Sequence, residues 1–224
     1  MITVHHLENS RSQRILWLLE ELGLEYTIRS YKRDPKTSLA PPELQAVHPL
    51  GKSPVVVDGE TTVAESGAIV EYLVGRYDKG VLLPAAGSRE RLAYTYWLHY
   101  AEGSFMPLMI VSLIMTRVET SPMPFFAKPI AKGIAGKVRA NYLDPNVTRH
   151  LAFMNDALAS SSWFCGNELT AADIQMSFAV EAAEVRTDLK AHYPNLQRYL
   201  KQMRARPAYQ RALQMGGPYS LLGK

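Results

Sequence analysis

The 224 residues carry 25 Lys and Arg against 21 Asp and Glu, and the basic residues are scattered rather than clustered with aromatics. That pattern argues against a nucleic-acid role, and 47% apolar with 21% charged residues is the composition of an ordinary globular chain. One cysteine, Cys165, excludes an internal disulfide and any CxxC metal or redox motif, so no metal site is expected.

Ile2, Thr3 and Val4 form a β-compatible run. The first residues lack a basic region and a long apolar stretch, so no signal peptide is expected and cytoplasm is the default compartment. After the polar break Glu8-Asn9-Ser10, residues Ile15, Leu16, Leu18, Leu19 and Leu22 recur at helical spacing, and Gly23 suits the residue after the helix end. Tyr26 to Tyr31 reads as a second strand, parallel to the first because a helix joins them. Residues 41–47 suggest a short helix.

Next comes HPLGKSPVVVDGETTVAES, from His48 to Ser66. Its strands, Pro54 to Val57 and Thr62 to Ala64, flank an Asp58-Gly59 turn, and Ser66 to Tyr77 reads as a helix. An X-Pro bond beside a strand is a place where a cis peptide exposes backbone groups to a ligand. A helix N-terminus carrying serine is a place to hold a carboxylate. Twelve residues separate Ser53 from Glu65, so both devices can serve one small ligand. The element order predicts a thioredoxin-like α/β domain (β-α-β-α-β-β-α) over residues 1–78, with a linker at 79–88.

Beyond Ser88, a plausible N-cap, no strand is predicted and residues 89–224 read as an all-helical bundle. Helical patterns cover 89–118, 124–140, a segment begun by Asp144-Pro145, one begun by Thr170, and 194–205. Its most apolar segment, Phe105 to Met115, is too short for a bilayer span and contains Pro107, which should kink the helix near Gly103. Tyr100, Phe105 and Met109 lie close to that kink and are candidates for an apolar pocket. Thr170 and Asp173 have capping-box spacing, between Leu169 and Ile174 at the hydrophobic-staple positions, and are read as structural. Cys165 is expected to be a small buried residue.

HPLGKSPVVVDG, ESGAIVEYL, the linker near Pro84, LTAADI and YPNLQRYLKQMRARPAYQRA, taken in order, resemble the cytosolic glutathione S-transferases over essentially the whole chain. HHLENSRSQRILWLLEELGLEY and YAEGSFMPLMI look most like fungal GTT-type and related proteobacterial serine-type members. The resemblance implies a homodimeric detoxification enzyme with glutathione as co-substrate, which activates it as thiolate and adds it to an electrophilic apolar molecule. It also implies that Ser53 before a cis Pro54 pairs with the cysteinyl part, and that Glu65 and Ser66 hold the γ-glutamyl end. Lys52 is a candidate for the glycine carboxylate. Ser10 stands where serine-type members carry their thiol-binding hydroxyl, with Asn9 as the alternative donor and Ser12 a weaker one. His5 and His6 occupy the place of the tyrosine in tyrosine-type members, so that mechanism is not expected. Other uses of the fold are a glutathione-dependent peroxidase or disulfide-exchange enzyme, and a non-catalytic glutathione-binding or assembly module.

Overall fold

The computed structural model describes residues 1–217 and 219–221, so residues 218 and 222–224 of the expected helical region lie outside the described residues. The first half is β1 (Ile2–Leu7), α1 (Ser12–Leu22), β2 (Tyr26–Tyr31), α2 (Pro42–Val47), β3 (Val55–Asp58), β4 (Thr61–Ala64) and α3 (Ser66–Tyr77). Its sheet has the order β2-β1-β3-β4, with β1 and β2 parallel and the other pairs antiparallel. Alternation along β1 sorts the two faces. Ile2 and Val4 enter the main core with α1 and α3, while Leu7 joins Tyr31 and Leu44 in a small cluster beneath α2. Gly23 takes φ 65 at the end of α1, the left-handed conformation that a helix-stopping glycine supplies without a Cβ penalty.

The second half is helical: α4 (Arg89–Tyr100), α5 (Met106–Thr120), α6 (Ala127–Val138), α7 (Asp144–Ala157), α8 (Ala171–Arg186), α9 (Leu189–His192), α10 (Pro194–Arg204) and α11 (Pro207–Gly216). Two junctions differ from expectation in the same way. Between α4 and α5, residues Ala101–Phe105 form a π turn in which the Met106 N–H donates to the Ala101 carbonyl. Between α6 and α7, residues Arg139–Leu143 do the same, with Asp144 donating to Arg139. Each wide turn runs directly into an X-Pro pair, Met106-Pro107 or Asp144-Pro145. Proline cannot donate to the carbonyl four residues back, and the wider turn absorbs the clash without ending the helix. The expected helix start at Asp144-Pro145 coincides with the start of α7, which the π turn joins to α6 in one continuous rod. Helix α11 was not anticipated from sequence. It begins at Pro207, where proline opens a helix because the first N–H groups need no partner.

The α4–α5 rod spans Arg89–Thr120, long and apolar enough by length and composition to cross a bilayer. One face of it enters the core, with Trp97, Leu98, Ala101, Phe105 and Met109 buried, while Leu92, Tyr96, Ile110 and Ile114 are exposed.

Helix α8 runs through the middle of the bundle, buried from Ala171 to Ala183. Asp173 closes the capping box at its start: Oδ2 accepts from the Thr170 N–H (2.9 Å) and hydroxyl (2.8 Å), and Oδ1 from the Phe164 N–H (2.7 Å). Burial pushes the Asp173 carboxyl up to about 6, against those hydrogen bonds, which pull it down. Cys165 beside it is buried, and burial pushes its thiol up to about 12, far from the thiolate a nucleophile needs.

Candidate functional site

A cavity of about 270 Å³ opens between the two halves, where the β1–α1 loop, the β3 entry, the α3 N-terminus and the first π turn converge. Pro54 and Ser53 form one side, joined by a cis peptide bond. The Ser53 hydroxyl is fixed to β1, since it accepts from the Leu7 N–H (3.1 Å) and donates to the His5 carbonyl (2.9 Å). Glu65 and Ser66 form the facing side at the N-terminal end of α3. Glu65 is exposed and adopts φ 68, a left-handed conformation that a non-glycine residue holds at some cost and that recurs beside functional sites. Ser66 is buried at the first turn, where unpaired backbone N–H groups and the helix dipole favour an anion. Lys52, also exposed, stands on the rim.

Six further wall residues were not anticipated as site residues from sequence: Arg11, His48, Leu50, Ala64, Glu102 and Ile110. Arg11 Nε donates to both carboxylate oxygens of Glu102, at 2.9 and 3.0 Å. Arg14, whose side chain is 1% exposed, also pairs with Glu102 through Nη2 and donates from Nη1 to the Gln175 carbonyl at 2.6 Å. Burial pushes the Glu102 carboxyl up, but the two arginines more than offset it, and it lies below the usual carboxylate value. Glu102 is the only Asp, Glu, Lys or Arg between Arg91 and Arg117, a signal that could have marked it.

The candidate thiol donors Ser10 and Ser12 lie behind the cavity rather than among its walls. Ser10 is buried, with its Oγ 2.8 Å from Ser12 Oγ and 3.4 Å from Ser53 Oγ. Ser12 Oγ is 2.8 Å from His6 Nδ1. Burial holds His6 below its ordinary value, although a hydrogen bond to the Gly216 backbone pulls the other way. Ser10, Ser12 and His6 thus form one buried chain of polar contacts behind the cavity. Asn9 adopts φ 50, and its Oδ1 accepts from the Ser220 N–H (2.7 Å), which leaves its amide N–H groups for other partners.

Of the three residues expected to line an apolar pocket, only Met109 does so beside this cavity. Phe105 is fully buried in the core, and Tyr100 hydrogen-bonds His150 in a separate shallow pocket with Tyr96 and Phe153. The π turn explains the correction. One extra residue in the turn rotates everything beyond it by roughly 100° about the helix axis, so spacing across the turn does not report a shared face. The face beside the cavity is Met106, Met109, Ile110 and Leu113.

A family model described as the N-terminal domain of glutathione S-transferase matches residues 1–75, and one described as the C-terminal domain matches residues 110–207. Glutathione S-transferase 3 of Schizosaccharomyces pombe is 36% identical over 208 residues, covering 93% of this chain and 85% of the relative. Glutathione S-transferase 1 of Saccharomyces cerevisiae is 35% identical over 217 residues, covering 93% and 92%. A glutathione S-transferase structure from Actinobacillus pleuropneumoniae matches with a TM-score of 0.81 at 34% identity, over 99% of this chain and 95% of that one.

Proposed function

The chain belongs to the glutathione S-transferase family, and from that membership we propose how its residues divide the work of adding glutathione, as a thiolate, to an electrophilic apolar molecule. The carrying observation is one cavity with the Ser53-Pro54 cis peptide on one side and the Glu65-Ser66 start of α3 on the other. Glutathione has two carboxylates, one ammonium and one thiol, and the cavity offers a complement to each. The Ser53 backbone pairs with the cysteinyl part as an added strand would. Ser66 and the first N–H groups of α3 take the γ-glutamyl carboxylate, and the Glu65 carboxylate takes the ammonium. Lys52 takes the glycine carboxylate. The sulfur then points toward the start of α1, where Ser10 donates to it and the Asn9 amide lies within the same loop. Met106, Met109 and Ile110 receive the apolar part of the acceptor.

Glu65→Gln is expected to raise KM for glutathione about tenfold with little change in kcat, because it weakens ground-state and transition-state binding alike. Conjugation of glutathione to 1-chloro-2,4-dinitrobenzene, with binding followed by calorimetry, measures both. Undetectable glutathione binding by the wild type would sink the assignment of this cavity. Disulfide exchange through a protein thiol has no support, given the buried, high-pKa Cys165.

The protein is read as a cytoplasmic homodimer acting in detoxification. Exposed Phe125, Phe126, Ile130 and Ile134 supply an apolar strip of the kind that subunit interfaces cover. A sedimentation mass of one subunit at micromolar concentration would remove the dimer.

A further inference from the structure

Arg11 and Ile110 also line a second cavity, of about 560 Å³, that continues from the first along α5. Its α5 wall changes character along the axis. Met106, Met109, Ile110 and Leu113 repeat every three or four residues and give way on the same face to Thr116 and Arg117. Across from that polar end stand Arg33, in the segment after β2, and Arg186, at the C-terminal end of α8. No Asp or Glu is among the described residues lining the cavity.

The nearby acids are engaged elsewhere. Glu102 is held by Arg11 and Arg14, Glu119 pairs with Arg139, and a Glu8 oxygen accepts from the Arg33 backbone N–H at 2.8 Å. Arg33 Nη1 donates to the Ser38 carbonyl and Arg186 Nη1 to the Ala182 carbonyl. Among the described residues, Arg33, Arg117 and Arg186 form no ion pair. Arg33 also lies below its ordinary value, chiefly through burial, which the Glu8 charge opposes, with Arg117 and Arg11 adding smaller like-charge repulsion. Three guanidinium groups around one cavity without a carboxylate make a site for an anion, and guanidinium favours carboxylates through paired N–H donors.

We propose that the acceptor is an elongated apolar electrophile carrying a carboxylate at the end remote from its reactive carbon, bound by Arg117, Arg186 and Arg33. The proposal rests on the glutathione-transfer reading of the adjoining cavity. Ile110 borders the glutathione cavity and Arg117 lies seven residues further on, about 10 Å along the helix at 1.5 Å per residue. The carboxylate therefore sits roughly that far from the carbon attacked. For an α,β-unsaturated ketone, the thiolate forms a C–S bond to the β-carbon and the C=C π pair moves to the enolate. The enolate then takes a proton from water, so no leaving group or oxidant is needed.

Ethacrynic acid and its methyl ester form a matched pair, both enones, differing in the remote charge. At low salt the acid is expected to be turned over with kcat/KM at least tenfold above the ester. That preference should fall severalfold in 0.5 M NaCl, as screening of exposed charges requires. It should approach unity in the Arg117→Gln/Arg186→Gln double variant. The salt comparison uses wild-type protein, so it stands even where the double variant folds poorly. Conjugation of 1-chloro-2,4-dinitrobenzene with no preference for the acid over its ester overturns the proposal alone. Failure to conjugate any of the three compounds overturns the transfer reading and the proposal together.

Discussion

Replacing Glu102 by glutamine is expected to lower the unfolding free energy by about 3 kcal/mol, the magnitude seen when a buried cation loses its partner. Arg14 is the cation concerned. Among the described residues its Nε has no hydrogen-bond partner, Nη1 donates to the Gln175 carbonyl, and Glu102 is the only carboxylate it pairs with. Glutamine keeps the shape and removes the charge, leaving the guanidinium beside a carbonyl and the Phe178 ring, 5.8 Å away. The folded-state value of Glu102 is depressed, so its contribution is present above the unfolded value of 4.5 and is lost as pH falls through the folded one. Substituting both partners by apolar residues, Arg14→Met with Glu102→Leu, should recover most of the loss, since such pairs are roughly neutral against hydrophobic replacements. Urea unfolding of the four proteins closes the cycle. A Glu102→Gln variant within about 0.5 kcal/mol of wild type would show that Arg14 finds compensation elsewhere.

Ser10→Ala is expected to cut kcat/KM at pH 6.5 by about 100-fold, equivalent to roughly 2.7 kcal/mol. The Ser10 hydroxyl shares hydrogen bonds with the Ser12 and Ser53 hydroxyls, neutral and exchangeable bonds with a net contribution of about 1 kcal/mol. A bond to an ionised sulfur contributes about 1.5–3 kcal/mol, so the hydroxyl turns outward for a thiolate and stays inward for a thiol. In the proposed role of Ser10, that difference is the source of a bound-thiol pKa below the free value of about 8.5. The variant's deficit should therefore shrink as pH rises from 6.5 to 9, where the thiol ionises without help. A deficit independent of pH would assign Ser10 to holding the loop. A larger, pH-dependent loss in Asn9→Ala would transfer the donor role to the amide.

The α/β half was largely legible because its punctuation is local: Gly23 ends a helix, Asp58-Gly59 turns a hairpin and Ser66 opens a helix. The Thr170–Asp173 pair was legible for the same reason, as its chemistry acts over three residues. Asp144-Pro145 marked the start of α7, but the π turn that leads into it was not legible, because the dipeptide suits both a free helix start and the far side of such a turn. Tyr100 and Phe105 were misplaced because periodicity assumes an unbroken register. The arginines of the second cavity come from positions 11, 33, 117 and 186, and only the tertiary fold gathers them.

The contacts that finish the donor loop come from the far end of the chain. Ser220 reaches Asn9 across 211 residues, and a Cβ at Gly216 would lie 2.5 Å from Gln13 Oε1. Arg206 and Arg211 clamp α11 onto Glu21 and Glu20 of α1. During translation, the loop carrying Asn9 and Ser10 emerges long before any of these partners exists. The α/β half can assemble its sheet early, yet the corner around Asn9 and Ser10 waits for α11. The complete surroundings of that loop therefore form only once both halves have left the ribosome.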